Sequence, residues 1–181
     1  MGSAALHVTT KASPVWALVS RTLEAKRDMN EILELEVYLD EILFKINGLA
    51  LNYVADIKLF LVKDISLNNG GDIVRSAVDS SVKVGQIYES NNKEVLDAIK
   101  RALTYEGTES SHPNMEFVGT EHHKYLMGLL LEKMGVCLRK ASNVQSFTFQ
   151  RGHPFYPIYW DFSYILKFRD SIYVLVGSSS D

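Results

Sequence analysis

YPIYWDFSYILKFRDSIYVLVG, residues 156–177, is the stretch whose periodicity decides the fold. Every second residue from Ile158 is apolar: Ile158, Trp160, Phe162, Tyr164, Leu166 and Phe168. The positions between them, Tyr159, Asp161, Ser163, Ile165 and Lys167, are mixed. A period of two sends alternate side chains to opposite faces, so the stretch reads as a strand with one face on a core. Arg169, Asp170 and Ser171 interrupt it with turn-forming polar residues. Residues 172–176 resume as a short apolar run rich in β-branched side chains. The pattern predicts a hairpin whose even-numbered face carries the heaviest aromatic load of the chain, centred on Trp160, Phe162 and Phe168.

Working outward, residues 144–150 form a third strand with Phe147 and Phe149 on one face, and Gly152-His153-Pro154 turns the chain into the hairpin. Thr120 opens a helix running to Met134, with Tyr125, Leu126, Leu129, Leu130 and Met134 apolar and Gly135 as its stop. Residues 107–114 (GTESSHPN) are the candidate mobile loop. Asn91 or Asn92 caps a helix over 93–103, with Val95, Leu96, Ile99 and Leu103 inward. Residues 82–88 are extended. Asp72 caps a short helix through Ser80, after a turn at Asn68-Asn69-Gly70-Gly71.

The first 63 residues read two ways. Ser13-Pro14 has the form of a helix start, and Trp16, Val19 and Leu23 follow at helical spacing. Ile32, Leu35, Leu39, Ile42, Leu43 and Ile46 make a second apolar face, roughly opposite the first at about 100° per residue. Either the helix breaks near residues 27–30 or it is buried on two sides. Asn47-Gly48 ends it. Yet Leu33, Leu35, Val37 and Leu39 also alternate with polar residues, and Asn47-Gly48 also suits a hairpin turn. Glu and Leu dominate 31–46, which favours helix. Over 49–63, Ala50, Tyr53, Val54, Ile57, Phe60 and Leu61 make a helical face, while Leu49, Leu51, Tyr53, Ala55, Ile57, Leu59 and Leu61 make a strand face. Helix is preferred there too, with the strand standing beside it. The expected architecture is α+β: helices in the N-terminal three quarters, packed with a C-terminal antiparallel sheet of about three strands. A single domain spanning 1–181 is expected, with 1–12 a flexible or tag-derived N-terminus.

Bulk properties narrow the function. Of 181 residues, 46% are hydrophobic, too many for a disordered chain. Cys137 is the single cysteine, so no intramolecular disulfide forms and a reducing, cytoplasmic compartment is expected. The net charge of -3 offers no basic field for nucleic acid. The acidic excess lies wholly in the first half: residues 1–90 carry nine Lys and Arg against twelve Asp and Glu. The opening residues lack the basic start and apolar core of a signal peptide, and no apolar run approaches the roughly 18 residues of a membrane span.

Candidate chemistry is sparse. His7, His112, His122, His123 and His153 have no zinc-site spacing, because neighbours such as His122-His123 point about 100° apart on a helix. No metal or cofactor is expected. Cys137, His153 and Asp161 can be drawn as nucleophile, base and orienting acid, but a lone cysteine is usually a small buried hydrophobe. Asn69-Gly70-Gly71-Asp72 lacks a P-loop lysine and reads as a turn. Tyr156, Tyr159 and Trp160 can stack a base or sugar, but only Arg151 lies near, so a core role is preferred. The most distinctive feature is acidic: Glu31, Glu34, Glu36, Asp40 and Glu41. On a helix Glu31, Glu34 and Glu41 share one side, and Glu36 and Asp40 another. Such a group is a solvated face or a steering surface for a basic partner.

The closing segment YWDFSYILKFRDSIYVLVGSSSD, residues 159–181, resembles the final strands of many immunity proteins of bacterial toxin systems. The resemblance implies a protein that blocks a partner toxin by covering its active site, and it assigns no residue a role. The expected function is a non-enzymatic protein-binding module, with Glu31, Glu34, Asp40 and Glu41 as the partner-binding residues. Two alternatives stand beside it. One is a small hydrolase or nucleotide-handling enzyme working through His112, His122, His123 or His153. The other is a structural or regulatory subunit of an assembly.

Overall fold

The computed structural model describes residues 14–181, with side chains from residue 31 onward. In chain order the elements are α1 (Pro14–Gly48), β1 (Val54–Leu61), α2 (Gly70–Ala77), β2 (Lys83–Glu89), α3 (Asn92–Leu103), α4 (Glu121–Leu138), β3 (Asn143–Arg151), β4 (Trp160–Lys167) and β5 (Ile172–Ser180). The fold is α+β. All strand pairs are antiparallel, in the order β1-β5-β4-β3-β2. Residues 1–12, His7 and Ser13, with the side chains of Trp16, Val19 and Leu23, lie outside the described residues.

The expected hairpin is β4–β5, closed at the Lys167↔Ile172 pair. It buries both faces rather than one. Tyr164, Leu166, Tyr173 and Leu175 face a core built with α1, α3 and α4. Ile165, Val174 and Val176 face a second core with Ile73 and Val74 of α2 and Phe147 of β3. The sheet is therefore the middle layer of three, which is why residues 172–176 form a continuous apolar run rather than an alternating one. The aromatic face is held at one point by Gly177. A Cβ there would lie 2.4 Å from the Phe162 ring, which stacks on Trp160 at 5.9 Å.

The sheet has five strands, not three: β2 falls on the stretch 82–88 read as extended, while β1 falls where a helix is preferred. Residues 49–63 hold β1, not a helix. Their helical face goes unused because β1 pairs along its whole length with β5, from Val54↔Ser180 to Leu61↔Tyr173. That pairing selects the period-two set Ala55, Ile57 and Leu59 for burial. Propensity is a weak prior beside a complete ladder with a distant strand.

Residues 31–46 are helical. Leu35 and Leu39 are buried while Leu33 and Val37 are 51% and 65% exposed, a split that a strand could not produce. The helix runs without a break through 27–30. Asn91 caps α3 and Thr120 caps α4, as their side chains and positions predict. Two local expectations fail. Asn69, not Asp72, caps α2, accepting from the N–H groups of Gly71 and Asp72. Gly135 does not end α4, because Cys137 and Leu138 beyond it are buried in the core. That burial outweighs the helix penalty of one glycine, about 1 kcal/mol. Cys137 is thus a buried helix residue.

The 107–114 loop is anchored. Leu51 and His112 exchange both backbone hydrogen bonds at 2.9 Å, and the Asn114 N–H reaches the Ile46 carbonyl at 2.8 Å. The Ser111 hydroxyl donates to the Asn52 carbonyl, and Asn52 Nδ2 donates to the Ser110 carbonyl at 3.2 Å. Asn52 itself has φ 46, a left-handed value that asparagine tolerates.

Candidate functional site

α1 presents three distinct sides. Ile32, Leu35, Leu39, Ile42 and Ile46 bury one of them. Opposite lie Leu33, Val37 and Phe44, within about 40° of one another at 100° per residue. Phe44 is 79% exposed. Asp40 borders this stripe on the side toward β1 and Glu41 on the other, both exposed. An apolar stripe bordered by carboxylates therefore stands on a helix whose reverse face is fixed in the core.

The four acidic residues predicted to bind a partner do not share one face. Glu31 and Glu34 turn toward α4. Glu31 is paired with Lys140 Nζ at 2.5 Å, both side chains being about one-third exposed, and Glu34 with Lys133 Nζ at 2.7 Å. These ion pairs join α1 to α4 at Lys133 and to the turn just after it at Lys140. Asp40 lies toward β1, where it shares a groove of about 530 Å³ with Glu36, Leu39, Leu43 and Asp56. Burial raises the Glu36 pKa above the usual carboxylate range, Asp40 adds to the rise, and Lys58 opposes it. Burial alone raises that of Asp56. Three carboxyl groups thus line the groove beside one lysine, a local excess of negative charge.

Asn47 closes one end of this groove. Its side-chain amide donates to the Ala55 carbonyl at 2.9 Å and accepts from the Ala55 N–H at 2.8 Å. The residue that ends α1 thereby pairs with β1 as a neighbouring strand would. Sequence reasoning missed this role. The one available signal was the strand face running through Tyr53, Ala55, Ile57 and Leu59.

The remaining candidates are dispersed. Among the described residues no three His, Cys, Asp or Glu side chains gather as a metal site would require. His112 lies in the anchored loop, with Nδ1 2.8 Å from the Pro113 carbonyl. His122 is exposed against the edge of Phe117. His153 packs on Phe149 and Phe155, which border the α2-side core, whereas Cys137 is buried in the core on the opposite side of the sheet. The drawn triad of Cys137, His153 and Asp161 is not assembled. Asn69-Gly70-Gly71-Asp72 serves as the cap and first turn of α2.

The aromatic cluster is mostly internal. Tyr53, Tyr105 and Tyr159 stack mutually with centroids 6.0 to 6.1 Å apart, and Trp160 Nε1 donates to the Tyr53 hydroxyl at 3.0 Å. Tyr156 is exposed and stands outside it. Tyr105, Tyr159, Trp160 and Phe162, with Arg101 and Asp161, line an open cleft of about 390 Å³.

His123 has a structural role that yields a prediction. It is buried, its Nε2 lies 3.0 Å from the Leu103 carbonyl, and its Nδ1 accepts the Gly119 N–H at 3.2 Å. A carbonyl only accepts, so Nε2 carries the proton and Nδ1 is bare: the ring is neutral. Burial lowers its pKa, with the Leu103 carbonyl opposing, and burial also lowers that of His153. A depressed histidine favours folding fully above the unfolded value of about 6.5 and progressively less as pH falls below it. Urea midpoints should therefore drop between pH 7.5 and 5.5 by more in the wild-type chain than in His123→Gln. Equal drops in the two proteins would remove this assignment.

No protein-family model, curated protein or solved structure matches the chain significantly.

Proposed function

We propose that the chain is a non-enzymatic protein-binding module of the immunity type, which acts in the cytoplasm and blocks a basic partner toxin through the outer face of α1. The supporting observation is the stripe of Leu33, Val37 and Phe44, exposed together beside Asp40 and Glu41 on a helix anchored from behind. Exposed apolar side chains on a rigid helix supply the desolvated anchors that dominate affinity at protein interfaces. The flanking carboxylates steer a positively charged partner and raise its association rate. Glu31 and Glu34 support the surface from the side by holding α1 to α4 and to the turn just after it.

The test begins with co-purification of the chain with the products of neighbouring genes. Association of the captured protein is then followed at two salt concentrations. Asp40→Lys combined with Glu41→Lys is the informative variant, since reversing Glu34 would also break its pair with Lys133. Association at low salt should slow by about tenfold and lose much of its salt dependence. The melting temperature should barely move, because exposed substitutions usually stay within about 0.5 kcal/mol. Unchanged low-salt association would end the steering role of α1.

A further inference from the structure

The Ala55–Asn47 pair fixes which backbone groups of β1 point away from the sheet. Ala55 turns its N–H and C=O to Asn47, on the side away from β5. In an antiparallel ladder, alternate residues direct both groups to opposite sides. The Val62 N–H reaches the Ile172 carbonyl at 2.9 Å on the β5 side, in keeping with that alternation. Ile57, Leu59 and Leu61 therefore point outward with Ala55, and no described residue hydrogen-bonds their outward groups.

The two edges of the sheet differ. On β2 the pairing shifts register between Lys83 and Val84 and again between Val84 and Ile87. Such irregularities discourage strand addition. β1 pairs with β5 without a shift, so its outer edge is regular beyond Asn47. The groove lined by Leu39, Leu43, Glu36, Asp40 and Asp56 runs beside that edge. A strand added at the usual spacing of about 4.8 Å would send alternate side chains past these residues.

We propose that β1 accepts an added strand, an extended lysine- or arginine-bearing segment of a partner protein, hydrogen-bonded to Ile57, Leu59 and Leu61. The inference rests on the reading of the chain as a protein-binding module. Main-chain pairing supplies affinity in such complexes, and the alternate side chains supply selectivity. Charge selects the occupant. Glu36, Asp40 and Asp56 complement a basic strand, whereas edge-to-edge pairing of two copies would oppose two sets of carboxylates.

The experiment uses the full chain and three capped octapeptides. The first alternates lysine and valine, the second replaces lysine by glutamate, and the third keeps lysine and valine but is N-methylated at alternate positions. Amide hydrogen exchange is followed residue by residue. The lysine peptide should slow exchange at Ile57, Leu59 and Leu61 by about tenfold or more at saturation, leaving the β5-paired amides of Asp56 and Lys58 unchanged. The glutamate and N-methylated peptides should not protect. Glu36→Lys with Asp40→Lys should weaken binding of the lysine peptide by about tenfold or more, near 1.4 kcal/mol. Absent protection, or equal protection by the glutamate peptide, would overturn the proposal. So would protection of the three amides that grows with protein concentration alone, since a second copy would then occupy the edge. Protection by the lysine peptide, with Glu41→Lys alone, outside the groove, leaving partner association unchanged, would sink the α1 reading alone. The converse result would sink the edge alone.

Discussion

Ile165→Ala is expected to lower stability by about 3–5 kcal/mol, more than Trp160→Ala. Ile165 has no exposed surface and packs in the core shared with Ile73, Val74, Val174 and Val176. Residues on α2, β3 and β5 surround it, so the deleted methyl and methylene groups leave a closed cavity that its neighbours cannot easily fill. Trp160 is larger but only half-buried, and it borders the open cleft beside Tyr105 and Tyr159. Truncating it widens a space that water already reaches, and leaves the Tyr53 hydroxyl free to be solvated there. A loss of about 2–3 kcal/mol is expected for Trp160→Ala. Urea unfolding of the two variants tests the order. If Trp160→Ala proved the more damaging, the aromatic face rather than the doubly buried hairpin would dominate the fold.

Gly107→Ala should cost about 2–4 kcal/mol, through backbone strain and a steric clash together. Gly107 has φ 78, a left-handed conformation that costs an alanine about 1–2 kcal/mol. A Cβ would also lie 2.3 Å from the Ser111 carbonyl oxygen and 2.6 Å from His112 Cα, backbone atoms that cannot swing aside. To relieve the clash the turn must open, and the Leu51–His112 hydrogen bonds that join the loop to the start of β1 then break. Amide exchange at Leu51 and His112 should accelerate before any global change, alongside a lowered melting temperature. A variant with unchanged melting and unchanged exchange at these two amides would show that the loop does not anchor the α1–β1 connection.

Some of this architecture is legible residue by residue. Tyr164, Leu166 and the β-branched run after Ser171 announce the β4–β5 hairpin. Asn91 and Thr120 mark their helices because a capping side chain acts within three residues of itself. Leu35, Leu39, Ile42 and Ile46 show the buried side of α1 for the same reason: a 3.6-residue period is a local property. The acidic residues of α1 are evident too, but not their division. Glu31 and Glu34 answer to Lys140, just past the end of α4, and Lys133 within it, about a hundred positions away, while Asp40 answers to a groove formed with β1.

By itself the sequence determined the α+β class, the closing hairpin, the third strand beside it and the polarity of α1 from residue 31. These follow from periodicity and capping, which are settled within a few residues. Tertiary structure alone decided that residues 54–61 are a strand, since the sequence offered both faces and tipped toward the helical one until β5 offered a full ladder. It also decided that the hairpin is covered on both sides, because α2 is too short to advertise what it buries. Long-range pairing likewise placed Asn47 against Ala55 and left the outward backbone groups of Ile57, Leu59 and Leu61 without a hydrogen-bond partner among the described residues. Which backbone groups remain unpaired depends on what the whole chain has already paired, and no local stretch contains that information.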